Sequence, residues 1–313
     1  MHNNTQENRP MSAHNHPTRV KIDRSDKIIR GLTYVLVTIF AFFCIMPFWM
    51  VVASSFSSEA AIRRSGFTLW PSEVDTYSYF LLFRSPDQMI GAYVVTICLT
   101  AVGTLVGLFI VSMTGYALQR PDFPFRNGIM FYIYFTSLFS AGLVPFYLLI
   151  TQTLNLRDTY WAILLPLLIS PWLIVLMKNF VKDIPHAITE SGKIDGANDF
   201  VIFIRLILPS MKPALATIGL FLALGYWNEW YYSSLFLTSK TVYRPLQYHL
   251  YNVINKVASL KNSVAGSNVI IENLPGETLK MATAVIATGP IILLYPFVQK
   301  YFVAGLTVGA VKG

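Results

Sequence analysis

Residues 88–119 read QMIGAYVVTICLTAVGTLVGLFIVSMTGYALQ, a run free of charge between Asp87 and Arg120. A helix needs about 20 mostly apolar residues to cross the hydrocarbon core of a bilayer. This run exceeds that length, so the chain is built for a membrane. Gly103 and Gly107 lie one helical turn apart within it, which lets a neighbouring helix approach closely.

Five further apolar runs flank it, from about Ile29 to Phe56, Gly128 to Leu154, Tyr160 to Met177, Pro213 to Leu235 and Met281 to Val303. Composition agrees: 54% of the 313 residues are hydrophobic and 13% charged, against a charged share of roughly 25% in soluble domains. The mean hydropathy is +0.51. The expected fold is all-α, a polytopic membrane protein with six transmembrane helices. Residues 1–28 form a polar cytoplasmic tail, too long and polar for a signal peptide, and 29–313 the membrane domain. Pro145, Pro166, Pro171, Pro290 and Pro296 fall inside the runs, where each removes a backbone hydrogen bond and is expected to kink its helix.

An even number of spans places both termini on one side. With that side cytoplasmic, 15 of the 24 Lys and Arg fall there while the 16 acids divide evenly, the asymmetry of a positive-inside protein. Membrane lipid headgroups then account for the formal net charge of +8, and no nucleic-acid partner is expected. Residues 57–89 and 238–280 become external segments. The second is polar, Asn-rich and broken by Pro245 and Pro275.

No G-x-x-x-x-G-K-[ST] phosphate loop and no G-x-G-x-x-G turn occurs, so the chain holds neither ATP nor a dinucleotide in those manners. His2, His14, His16, His186 and His249 are dispersed without zinc-ligand spacing, and Cys44 and Cys98 lie apart inside apolar runs. No enzyme, catalytic residue, cofactor or metal site is expected. Ionisable groups are almost absent from the spans: Glu229 sits near the outer end of the fifth and Lys212 at its inner start. Ion-driven transporters place carboxylates or histidines within the membrane to bind the coupling ion. The pattern here points to a part driven by another protein.

The largest cytoplasmic segment carries the strongest local signal. After Ile184 and Pro185 comes a short helical stretch, Asp195 and Gly196 break it, and Phe200, Phe203, Ile204 and Ile207 recur at helical spacing. A helix-turn-helix is predicted. Gly196 adopts positive φ without steric penalty, Asp195 can bond neighbouring amides, and Phe200 and Phe203 are large enough to fill a socket on a partner. An amphipathic hairpin resting on lipid satisfies the same residues.

Residues 190–209, ESGKIDGANDFVIFIRLILP, resemble the EAA motif of ABC-importer permeases. Glu190, Asp195, Gly196, Ala197, Phe203, Leu208 and Pro209 match at that family's spacing, Leu206 stands for its Ile, and Ser191 and Gly192 replace its two alanines. The likeness continues through residues 114–120 (TGYALQR), Asn179-Phe180, residues 212–217 (KPALAT), Trp227-Asn228, and the C-terminal stretch from Gln299 through Phe302 to Val311-Lys312-Gly313. These are similar to MalG-type carbohydrate permeases, the LplC-like branch above all.

The resemblance implies the type I ABC importer permease fold. It also implies a subunit that pairs with a second permease over cytoplasmic ATP-binding subunits, with an extracellular solute-binding protein delivering a sugar or oligosaccharide. Residues 184–213 would form the coupling loop, in which Glu190, Asp195, Gly196, Ala197, Phe200, Phe203, Leu208 and Pro209 serve the ATPase contact, and 238–280 would reach the receptor. The implied location is the cell membrane, multi-pass, with N- and C-termini cytoplasmic. A membrane anchor or signalling partner of an ATPase that moves no solute is the alternative. For the substrate path the expectation rests on Tyr226, Trp227, Asn228 and Trp230, followed by Tyr231 and Tyr232, whose rings suit the CH faces of sugars. An aromatic belt at the outer membrane interface explains the same residues.

Overall fold

A computed structural model describes residues 24–238, 241–264 and 275–310. Most of the N-terminal tail with His2, His14 and His16, part of the external segment including Asn268, and the last three residues lie outside the described residues. Among the described residues the chain is helical, with one isolated bridge from Ser57 to Val74 and no strand.

In chain order the helices are α1 (Arg24–Ser55), α2 (Glu59–Ser65), α3 (Tyr77–Leu82), α4 (Pro86–Gln119), α5 (Arg126–Leu138), α6 (Leu143–Leu148), α7 (Trp161–Leu168) and α8 (Pro171–Lys182). They continue as α9 (His186–Ile194), α10 (Asp199–Ile202), α11 (Leu208–Ser210), α12 (Lys212–Trp227), α13 (Tyr231–Phe236), α14 (Leu246–Val264) and α15 (Glu277–Ala310). One π-helical turn, Leu149–Thr153, extends α6, and a second, Phe203–Ile207, joins α10 to α11.

Residues 1–49 and 50–313 form two units. The first, described from residue 24, is the body of α1. Its Phe40, Phe42 and Phe43 are exposed, a surface that lipid tails accommodate, and Pro47 sits inside the helix.

The second unit is organised around α4. Gly103, Gly107, Val111 and Gly115 recur every four residues along its buried face. A methyl group at Gly103 would lie 2.3 Å from the Tyr226 ring, and one at Gly115 2.7 Å from Met177 Cγ. The stripe is therefore a groove into which α12 and α8 settle, as the two glycines predict. Below it Val111, Tyr116, Met177, Ile202, Phe203, Ile207 and Ile218 form one buried cluster. Since lipid is as apolar as these side chains, close packing rather than escape from water holds such helices together.

By length and composition two helices, Lys27–Ser55 and Pro86–Gln119, suffice to cross a membrane unaided, and three further crossings would each use a bent pair. α15 adds 34 residues. The third run is not one continuous helix: α5 and the α6 stretch meet at 112°. The break falls at Phe139–Gly142, where Gly142 has φ +88. Pro145 lies in the first turn of α6, where no amide donor is needed, so it starts a helix rather than kinking one. The fourth run bends by 42° at Pro171, the first residue of α8, while Pro166 is accommodated inside α7. In the fifth, α12 stops at Trp227 and the chain turns before α13.

Candidate functional site: the hairpin of residues 186–210

α9 ends in a Schellman closure. Gly196 takes φ +76, its N–H donates to the Lys193 carbonyl at 3.0 Å, and the Ala197 N–H donates to the Gly192 carbonyl at 3.0 Å. A Cβ at Gly196 meets no atom within 4 Å, so the requirement for glycine there is conformational. The cap of the next helix comes from Asn198, whose side chain accepts from the Val201 N–H at 2.9 Å. Amide bonding in this turn thus falls to Asn198 rather than to Asp195, the residue the sequence favoured. Gly192, one of the two departures from the alanine pair, has a structural use: a methyl there would lie 2.9 Å from Ile202 Cγ1. Its absence lets α9 close on α10. Pro209 lacks an amide hydrogen, and the π-turn before it, closed by the Leu208 N–H on the Phe203 carbonyl, widens the helix where the proline ring enters.

The two phenylalanines face opposite ways. Phe200 is 58% exposed, whereas Phe203 is 2% exposed and stacks on Tyr116 with ring centroids 5.5 Å apart. Phe203 therefore packs in the chain's own core and does not offer its ring to a partner, a correction to the expectation. Ile194, which the sequence reading passed over, is 85% exposed. With half-buried Ala197 and exposed Phe200 it forms the apolar tip of the hairpin. Leu208 is half-buried, Pro209 and Glu190 are exposed, and Glu190 borders a cavity of about 340 Å³ between the end of α4, α8 and α9. Buried Tyr116, whose hydroxyl has no hydrogen-bond partner among the described residues, also lines it.

A charge clamp fastens the hairpin to the end of α4. Arg120, with its side chain 15% exposed, pairs with Asp122 and with Asp199 of α10, and Lys193 of α9 reaches Asp122 at 2.8 Å. Hydrogen bonds from Arg120 and then Lys193 hold the Asp122 carboxyl well below its ordinary value. The hydrogen bond to Asp122 likewise raises the Arg120 guanidinium. Arg120 thus holds α10 directly, and its other partner Asp122 holds α9 through Lys193. Sequence spacing could not reveal this, since Arg120 and Asp199 meet only in the fold.

The four residues expected along a substrate path do not form one surface. Tyr226 is buried over Gly103 and donates to the Leu164 carbonyl at 2.8 Å, and buried Trp227 donates to the Ala287 carbonyl at 3.0 Å. These two rings tie helices together and do not line an opening, which corrects the expectation for them. Asn228 and Trp230 remain exposed, Trp230 with its ring centroid 4.9 Å from that of Tyr251. Glu229 points inward and accepts from the Ser233 amide at 3.2 Å and the Tyr232 amide, capping α13. A second buried carboxylate escaped the sequence reading. Glu59 accepts from the amides of Gly276 at 2.8 Å, Glu277 at 3.0 Å and Thr278 at 3.2 Å, closing the start of α15.

Comparison with known proteins assigns this architecture. Residues 112–308 match the family described as binding-protein-dependent transport system inner membrane component. The chain belongs to that family of ABC transporter permeases, and its relatives are transport permeases for carbohydrates rather than enzymes. It is 37% identical to the polygalacturonan/rhamnogalacturonan transport system permease protein YtcP of Bacillus subtilis, over 92% of this chain and 99% of that one. It is 36% identical to protein LplC of the same organism, over 86% and 90% of the two chains. Among solved structures it resembles a chain from the crystal structure of a bacterial ABC transporter involved in the import of the acidic polysaccharide alginate. That match has TM-score 0.72 and 31% identity, and covers 90% of this chain and 98% of that one.

Proposed function

We propose that this chain is one translocation subunit of an ATP-driven importer for a sugar or oligosaccharide. It crosses the cell membrane six times with both termini cytoplasmic and pairs with a second permease. A solute-binding protein delivers the cargo outside, and cytoplasmic ATP-binding subunits drive transport by shifting the two permeases between inward- and outward-facing states. The observation that carries this reading is the 186–210 hairpin, whose apolar tip of Ile194, Ala197 and Phe200 stands exposed on a turn fixed by Gly196 and clamped to α4 by Arg120. A tip so held suits insertion into a cleft of an ATPase, because its shape exists before the partner arrives.

Glu190, Asp195 and Pro209 serve the same contact from exposed positions, and Phe203 and Leu208 serve it indirectly, as the base on which the hairpin rests. The named cargoes of two relatives, galacturonan polymers and alginate, support an acidic oligosaccharide as the cargo class. Reconstituting the purified complex in liposomes tests the reading. Accumulation of sugar that requires both ATP and the receptor is the expected result. ATP hydrolysis without accumulation would instead favour the non-transporting anchor.

A further inference from the structure

At the end of α4 remote from the hairpin, the α3–α4 loop, residues 241–244 and α14 enclose a cleft of about 580 Å³. Sites for small molecules commonly span about 300–1,000 Å³. Among the described residues every charged or basic side chain lining it is of one kind: Arg84, Arg244, His249 and Lys256, with no acid among them. Gln88 and Asn252 add side-chain amides.

These cations are not consumed by the fold. Among the described residues neither Arg84 nor Lys256 enters an ion pair. Arg244 reaches the Thr238 carbonyl at 3.5 Å and the face of Tyr248. Burial, with the positive charges of Lys256 and Arg244, keeps the His249 imidazole below its ordinary value, so at neutral pH it serves as a neutral donor or acceptor. Like charges gathered at one concavity repel each other and give folding nothing. They focus a positive potential there, where an anion gains most.

We propose that this cleft binds the carboxylates of an acidic oligosaccharide, with Arg84 and Lys256 as its charged contacts and Gln88 and Asn252 as partners for ring hydroxyls. The inference rests on the importer reading above and adds to it a location and a recognition chemistry. Guanidinium and ammonium groups suit carboxylates through charge-assisted hydrogen bonds, and a uronate polymer presents one carboxylate on each ring. A neutral sugar would leave the cations without a counter-charge.

The test titrates the assembled importer, without its receptor, with trigalacturonate and with the matching neutral galactose trimer, by calorimetry. Trigalacturonate is expected to bind, more weakly as salt rises from about 50 to 500 mM, because exposed charges are then screened. The neutral trimer is expected not to bind. Arg84→Gln with Lys256→Gln should raise the Kd roughly tenfold or more, while Arg84→Lys, which keeps the charge, should stay within about threefold. Equal binding by the double variant, or no binding of trigalacturonate to an importer that still accumulates sugar, would overturn the site and leave the importer reading standing. Failure of the wild-type complex to accumulate any sugar would strike that reading itself. If the double variant binds trigalacturonate normally but weakens stimulation of ATP hydrolysis by sugar-free receptor, the cleft is a protein-docking surface and the proposal falls.

Discussion

The hairpin at 186–210 carries two large rings and the aromatic stretch at 226–232 carries five, and the fold treats them differently. In the hairpin, Phe203 is buried and Phe200 is exposed, so one ring anchors the element and the other is presented outward. In the aromatic stretch the most buried rings carry polar atoms: the Tyr226 hydroxyl and the Trp227 indole each donate to a carbonyl on a neighbouring helix. The difference lies in the side-chain chemistry. A ring that ends in a donor can fasten one helix to another where water is scarce, whereas phenylalanine contributes only shape.

The strongest way to break the comparison is Gly196→Pro. Proline cannot adopt φ +76 and has no N–H for the Lys193 carbonyl, so both the turn and its bond are lost. Sugar uptake should be abolished and the ATPase should fail to co-purify, while the chain still inserts in the membrane. Normal uptake and association together would remove the hairpin from the coupling path.

The two phenylalanines should then separate by readout. Phe203→Ala leaves a cavity beneath Tyr116 and is expected to cost about 3–5 kcal/mol, seen as a lower thermal midpoint of the purified complex. Phe200→Ala should change stability by no more than about 0.5 kcal/mol yet weaken ATPase association. Equal thermal loss in both would show that the assignment of inner and outer rings is wrong.

On the other side of the comparison, Tyr226→Phe keeps the packing over Gly103 and removes one hydrogen bond, for about 1 kcal/mol. The concentration dependence of uptake should not move. A marked rise in the half-saturating sugar concentration would return Tyr226 to the substrate path.

The smallest effect concerns pH. The Asp122 carboxyl is depressed in the folded chain, so its contribution is present above the ordinary value of about 4 and is lost only as pH falls through the lower folded value. ATPase association should therefore be unchanged between pH 8 and about pH 5. Loss of association near pH 6 would show that the clamp depends on some other titrating group.

Much of this was legible in the sequence, and the failures have identifiable causes. The charge-free run of α4 and the glycines at 103 and 107 gave the central helix and its close contacts, because both are local properties of one element. The hairpin and its turn were legible for the same reason. Which phenylalanine faced inward was not: Phe200 and Phe203 are three residues apart, and the π-turn that begins at Phe203 shifts the phase of the helix there. Hydropathy read residues 128–154 as continuous because it does not register the direction of the backbone at Gly142. Asn198 as a cap follows from the usual preferences for helix starts, but the Asp-Gly pair before it is the stronger turn signal and masks it. Arg120 with Asp199, and Glu59 with α15, join residues far apart in sequence, and no spacing rule connects them.

The Glu59 carboxylate also bears on how the molecule is made. The amides it holds belong to residues translated some 217 positions later, at the start of the final helix. A chain grown from its N-terminus therefore completes this joint only once α15 has emerged and been threaded beside its neighbours. Glu59 is thus a joint between two distant parts of the chain, and a nascent permease truncated before residue 276 lacks the three amides from which its carboxylate accepts.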